Sequence, residues 1–347
     1  GATESTYQLA MYSVLRKVGE RFKGESQEVT DFYQPAETVF GSARQFISAQ
    51  QGDRFFLMVH LMEAHDPYFE RPYNGVAYGR AEHEVPEADR VDYLKQTYAT
   101  EIEHMDADIG EFVAWLKAEG LYEDTVIVFT SDHGEEFLEH GGWWHGTTLY
   151  QEQIHVPLIV KLADQEHAGT RAPWVVRHID LAPTLADVAG AEPSLTWQGT
   201  SLLDADFAAF VTPPLVPEAV EAVEGEQASE AVEVAAAPPT DPRTYDRLVF
   251  AEEDFEGNVI TALRRGDWKL IKSNAGPRGL APVELYDLAF DPGEGKNAAA
   301  EDPGTTALID EEMRKQILAA TGSAVAGEET EMDEATKERL RALGYMD

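Results

Sequence analysis

Asp132 and His133 stand side by side where an apolar run, Val126-Ile127-Val128-Phe129, gives way to Thr130-Ser131-Asp132-His133-Gly134-Glu135. A carboxylate oxygen and an imidazole nitrogen at a strand end suit Zn, Mn or Fe better than Ca or Mg, which prefer all-oxygen shells. Two ligands do not close a metal shell, and the same pair also reads as a turn cap beside a satisfied loop histidine. His140 and His145 flank Gly141-Gly142-Trp143-Trp144, where small residues let backbone approach a ligand and rings wall it in. Either histidine could donate to an anionic ester or complete a metal shell, and each alone also reads as structural. His65, followed by Asp66-Pro67-Tyr68, is either a histidine oriented by a carboxylate or a turn device ahead of the proline. Tyr150 and Glu152 read as packing and capping residues.

These residues need strands that deliver them and helices that cover the strands. The run ending at Phe129 predicts a buried strand, Val156-Pro157-Leu158-Ile159-Val160 a second, and residues 54–60 a third whose end carries His65. Between the strands at 54–60 and 126–130, Tyr98, Ile102, Met105, Ile109, Phe112 and Leu116 recur at steps of four and three, which predicts a helix closed by Gly120. Strand, helix, strand in that order predicts a mostly parallel sheet flanked by helices, and ligands of such α/β sheets sit at the carboxyl ends of strands.

Further helices are expected over residues 7–22, from Pro35 to about Ala49, and from Asp180, as cap, to Ala189 with Gly190 as the stop. Residues 73–87 read as a surface excursion. Strands at 247–251, 259–264, 268–272 and 283–288 predict a small C-terminal antiparallel sheet, with helices near 305–318 and 333–343. Residues 213–242 are rich in Ala, Val, Glu and Pro, and predict a disordered low-complexity insert. The expected organisation is therefore a catalytic α/β part over 1–205, an acidic insert over 206–245, and a C-terminal subdomain over 246–347.

The 347 residues carry 64 acids against 27 bases, a formal charge of -37. Such an excess argues against nucleic acid as a partner, since neutralising phosphates takes clustered Lys and Arg. It fits a secreted or salt-exposed protein, although the insert accounts for part of it. With no cysteine, disulfides, thiolate metal sites and a Cys nucleophile are excluded within these residues. No apolar run approaches the length of a bilayer span.

Taken together, the motifs resemble the sulfatase family of the alkaline phosphatase superfamily. They are His65 to Tyr68, the helix through Leu116, Thr130 to Glu135, Leu149-Tyr150 before Val156 to Val160, and His178-Ile179-Asp180-Leu181-Ala182-Pro183-Thr184-Leu185. Gly199-Thr200-Ser201-Leu202, Leu285-Tyr286-Asp287-Leu288, Asp291-Pro292-Gly293-Glu294 and the ending Leu340 to Tyr345 complete the set in family order. The resemblance implies an alkaline phosphatase-like α/β fold, incomplete here. It also implies attack on a sulfate or phosphate ester by a formylglycine, Ser or Thr nucleophile, aided by one divalent metal ion (Mn, Ca or Zn).

By resemblance, Asp132 and His133 supply half of the metal shell, and His65 contacts the ester oxygens or leaving group. His145 stands where many members place an anion-gripping lysine, a departure that leaves open whether it binds the substrate or the metal. His140 is kept as a substrate-contact candidate from its neighbours alone, not from the resemblance. Many sulfatases have Asp-Asn where this chain has Asp132-His133, which is more like phosphonate monoester hydrolases and phosphodiesterases. The expected partner is a small anionic ester or sulfated glycan, and the expected location is extracytoplasmic. The family's first strand and its C/S-x-P-S/A-x-R nucleophile motif are not in this sequence. The chain is therefore expected to be a fragment, inactive alone, or a non-catalytic relative, its missing N-terminal half being a possible partner chain.

Overall fold

A computed structural model describes residues 34–323 apart from 51, 72–76, 81–82, 173–174, 195, 204–246 and 256. The helix expected over 7–22, the insert with its boundaries, and the helix expected over 333–343 lie outside these residues. The chain divides into two compact units, Gly1–Tyr122 with Gly141–Trp144 and Val325–Asp347, and Glu123–His140 with His145–Ala324.

In the first unit, helix α1 (Ala36–Ala49) follows Pro35, whose carbonyl accepts from the Thr38 and Val39 amides. Ala36, Phe40, Ala43 and Ile47 recur at helical spacing and form its buried face, with Phe40 stacked on Phe112 at 4.7 Å. Helix α2 (Val91–Ala118) is the long helix expected from periodicity, and it buries Leu94, Thr97, Glu101 and Leu116. The expected stripe is one residue off in the first half of α2: Ile102 is 37% exposed and Glu101 only 1%. Gly120, at φ 71°, donates to the Lys117 carbonyl while Leu121 donates to Leu116, closing the helix as a left-handed cap does. Strands β1 (Tyr68–Phe69) and β2 (Ala77–Tyr78) pair antiparallel just beyond His65.

One expectation about the sheet is corrected, and one pairing gains a direction. Residues 54–60 form no strand. Phe56 and Met58 are 73% and 70% exposed while Phe55, Leu57 and Val59 are half-buried, so the segment alternates as an extended chain does and gains no ladder. In the second unit β3 (Ile127–Thr130) pairs with β4 (Leu158–Lys161) antiparallel, Ile127 opposite Lys161 and Thr130 opposite Leu158. Among the described residues, the pairings within each unit are antiparallel.

The C-terminal sheet is as expected. Strands β5 (Leu248–Phe255), β6 (Asn258–Arg265), β7 (Trp268–Ser273) and β8 (Val283–Asp287) form an antiparallel meander in the order β8-β7-β6-β5. Its two faces are both covered. Ile260, Ala262, Ile271 and Tyr286 pack on Leu149 and Tyr150, at the start of the one-turn helix α3 (Gln151–Ile154). Leu263, Leu270 and Leu285 pack on Ile309 and Met313 of α5 (Pro303–Ser323). Each fully buried side chain of this size contributes roughly 1.5–3 kcal/mol, so the sheet anchors the segment that leads out of the Asp132 turn. Helix α4 (Leu181–Ala189) ends at Gly190 as expected. Asp180 does not cap it; its carboxylate accepts from Arg177, Thr200 and Arg247 instead.

Candidate functional site

The turn after β3 is built by backbone first. The Thr130 hydroxyl donates to the Pro157 carbonyl at 2.8 Å and the Ser131 hydroxyl to the His133 carbonyl at 2.6 Å. Gly134 and Glu135 then donate to the Gln153 and Glu152 carbonyls at 2.8 and 2.9 Å, which lays the turn along α3. A Cβ on Gly134 would sit 2.1 Å from the Glu152 carbonyl oxygen, so only glycine allows this approach.

Asp132 and His133 emerge from this frame. The Asp132 Oδ1 accepts the His133 amide at 3.0 Å, and its Oδ2 lies 3.7 Å from His133 Nε2. His133 Nδ1 is 2.8 Å from the Gly134 carbonyl, so that nitrogen carries the proton and Nε2 carries the lone pair. Orienting a ligand histidine through its other nitrogen is what metal sites do. The donors pass a simple fit test: two atoms each ~2.1 Å from one ion lie at most about 4.2 Å apart, and 3.7 Å is inside that limit.

His145 joins this pair. Its ring stacks on His133 at 4.1 Å, and its Nδ1 lies 3.1 Å from Oε1 of the buried Glu135. With Nδ1 held by that carboxylate, Nε2 is the ring nitrogen turned away from Glu135. Gly146, at φ 81°, donates to Gln153 Oε1 at 3.0 Å, while Gln153 Nε2 donates to the buried Glu136 at 3.1 Å. Glu253 of β5 feels both histidines: burial raises its carboxyl above the usual range, and His145 and His133 pull it back.

His140 is placed differently. Its Nδ1 is 2.6 Å from Glu152 and its Nε2 3.2 Å from the Glu294 carbonyl, with the ring stacked on Tyr150 at 3.6 Å. Both partners accept, so the ring holds two protons; burial works against that charge, but Glu152 prevails and raises the imidazole above its ordinary pKa. Both nitrogens are thus committed to protein partners, and the anion contact expected of His140 has no donor left. Tyr150, at the N-terminus of α3, donates to the buried Glu284 at 2.7 Å, the packing role expected of it. Glu152 holds His140.

His65 belongs to the first unit. Its Nδ1 donates to the Asp66 carbonyl at 2.6 Å, so Nε2 is the nitrogen that can meet a ligand. The orienting group is that carbonyl more than the carboxylate: Asp66 Oδ1 is 3.5 Å away and Oδ2 takes the Arg80 amide. Beneath the turn, Glu101 of α2 accepts the Phe69 amide at 2.8 Å. Burial pushes this carboxyl up to about 7. Sequence reading missed Glu101, although Leu94, Thr97 and Glu101 share one helical face. It also gave no role to Glu135 or Gln153, whose polar side chains carry no sign of burial in the sequence.

Comparison with known proteins fits this frame. The Sulfatase family model matches residues 14–191. Arylsulfatase K of Bos taurus is 30% identical over 216 residues, covering 61% of this chain and 34% of that protein. N-acetylglucosamine-6-O-sulfatase of Bacteroides thetaiotaomicron is 34% identical over 110 residues, 32% of this chain and 19% of that protein. Among solved structures, the phosphonate monoester hydrolase from Silicibacter pomeroyi has a TM-score of 0.58 at 20% identity, over 84% of this chain and 61% of that one. The yidJ protein of Bacteroides fragilis gives 0.58 at 19% identity, over 81% and 58%.

The fold is that of the alkaline phosphatase-like hydrolases. Within that class the chain belongs to the sulfatase family. It spans about a third of the length of the arylsulfatases K it matches.

Proposed function

We propose that this chain forms part of a metal-dependent hydrolase of sulfate esters, with Asp132 and His133 as metal ligands and His145 as a contact to the ester anion. The observation that carries this reading is the donor pair, Asp132 Oδ2 and His133 Nε2 at 3.7 Å, with Nδ1 of His133 committed to a backbone carbonyl. When bound, a divalent cation at this pair would neutralise charge on the ester oxygens and activate the attacking group. His145 would donate from Nε2 to a peripheral oxygen, its ring oriented by the Glu135 carboxylate at Nδ1. His65 would donate from Nε2 to an ester oxygen or to the leaving oxygen. His140 has a structural role in this reading, tying Glu152 to Glu294. The nucleophile would come from residues outside this sequence, and esterase turnover by the purified 347-residue chain would overturn that part.

A sulfated amino sugar or glycan is the substrate class we favour, because an N-acetylglucosamine-6-O-sulfatase is among the relatives. An imidazole beside Asp132, in place of a further oxygen ligand, supports a second reading with a phosphate or phosphonate ester and a Mn or Zn ion. The mostly parallel sheet belongs to the proposal as well: the extended run of residues 54–60, unpaired among the described residues and with Phe56 and Met58 exposed, would pair with chain outside them. An extracytoplasmic location is part of it too, resting on the acidity and the absence of cysteine. Among the described residues no helix is long and apolar enough to cross a membrane.

Metal titration tests the core of the reading. The chain should take up Mn2+ or Zn2+ ahead of Mg2+, and Asp132→Ala or His133→Ala should weaken uptake by more than about 100-fold, beyond what loss of an outer hydrogen bond costs. Equal uptake by the parent and both variants would sink it.

A further inference from the structure

His178 lies 47 residues after Ser131, on the one-turn 3-10 helix His178–Asp180 ahead of α4. Its Nε2 donates to the Ser131 carbonyl at 2.8 Å. That carbonyl shares a rigid peptide plane with the Asp132 amide, so a bond that fixes the one fixes the direction in which the chain enters Asp132. The Asp132 side chain is 74% exposed and its Oδ1 takes the His133 amide, so the direction of the backbone entering Asp132 contributes to its aim.

The support behind His178 is stiff. Asp180, fully buried, accepts from the Arg177 amide at 2.8 Å, Arg177 Nη2 at 2.9 Å, the Thr200 amide at 3.0 Å and Arg247 Nη2 at 2.5 Å. The Gly199 backbone presses so closely on this turn that a Cβ there would sit 1.8 Å from the Ile179 carbonyl oxygen. His178 itself is exposed, so its ring adds little to the core; what it adds is a fixed donor aimed at one carbonyl.

We infer that His178 is a positioning residue: it holds the peptide before Asp132 so that the Asp132 and His133 donors stay within reach of one cation. The inference rests on the metal reading of that pair. It asks of His178 only a proton on Nε2 and a fixed origin, which the Asp180 clamp supplies.

The test compares the parent chain with His178→Ala and His178→Gln, glutamine keeping a donor at similar reach. Two quantities are read: amide hydrogen exchange over residues 130–135 in the metal-free chain, and Mn2+ affinity by titration calorimetry. Alanine should speed exchange in that segment and weaken Mn2+ binding roughly tenfold, the lower end for loss of an outer support, with the melting temperature near the parent's. Glutamine should recover most of both effects. An alanine variant with parental Mn2+ affinity, or a glutamine variant no better than alanine, would overturn the inference while leaving the metal reading intact. A parent chain that takes up neither Mn2+ nor Zn2+ would overturn both.

Discussion

The turn carrying His65 and the turn carrying Asp132 and His133 meet the same requirement in different ways. In each, an imidazole Nδ1 donates to the carbonyl of the next residue, which leaves Nε2 for chemistry. Under His65 the support includes a titratable side chain on a helix, the Glu101 carboxyl on the Phe69 amide, beside the Asp66 carboxylate on the Arg80 amide. Under Asp132 the support is distributed: two amides on α3, two hydroxyls on nearby carbonyls, and the Gln153 amide tying Gly146 to Glu136. A support that includes a buried titratable group answers to pH, whereas one made of backbone and neutral side chains answers to sterics.

The largest effect should come from the steric side. Gly134→Ala places a methyl 2.1 Å from the Glu152 oxygen, which breaks the contact between turn and α3. A loss of about 3 kcal/mol or more is expected in the second unit, in the range of severe backbone clashes, read by chemical denaturation. A melting curve unchanged from the parent would show that the turn has slack, and the contrast would fall.

The pH side comes next. Glu101 keeps its proton in the fold up to about 7, against an ordinary value of 4.5. The folded state thus binds the proton more tightly than the unfolded chain. The stability this provides is complete below about pH 4.5 and is lost as pH rises through about 7. The loss should reach roughly 2–3 kcal/mol at the most, and Glu101→Gln should flatten it while keeping an acceptor for Phe69. A parent chain whose first unit is equally stable at pH 5 and pH 8 would contradict this.

His140 should give the smallest effect and a later window. Its folded pKa is raised, so its contribution is complete below its ordinary pKa near 6.5 and fades as pH climbs through the raised value. The second unit should then soften by about 1 kcal/mol in mildly alkaline solution, and His140→Gln should remove that slope. If the two variants exchanged windows, the assignment of supports to units would be wrong.

Much of this was legible in the sequence because it follows from local period and turn chemistry. Leu116 before Gly120, Leu181 to Gly190, and the four C-terminal strands could be placed from spacing alone, and Asp132-His133 stood out at the end of an apolar run. Partners across the chain could not be read the same way. An acid on α2 looks the same in sequence whether it meets water or the Phe69 amide, so Glu101 passed as a surface residue. A strand's pattern gives its faces but not its neighbour's direction, so the antiparallel pairing of β3 with β4 was not legible in the sequence. His140 and His145 are equally polar neighbours of the same glycines, and only their acceptors separate them.

Gln153 has a consequence beyond support. One amide group grips the Gly146 backbone with its oxygen and the Glu136 carboxylate with its nitrogen, so the turns before and after the paired tryptophans share a single degree of freedom. A substitution that moves one turn is transmitted to the other, and energies measured on the two sides will not sum independently. Over evolutionary time the residues around this amide would be expected to change together or not at all.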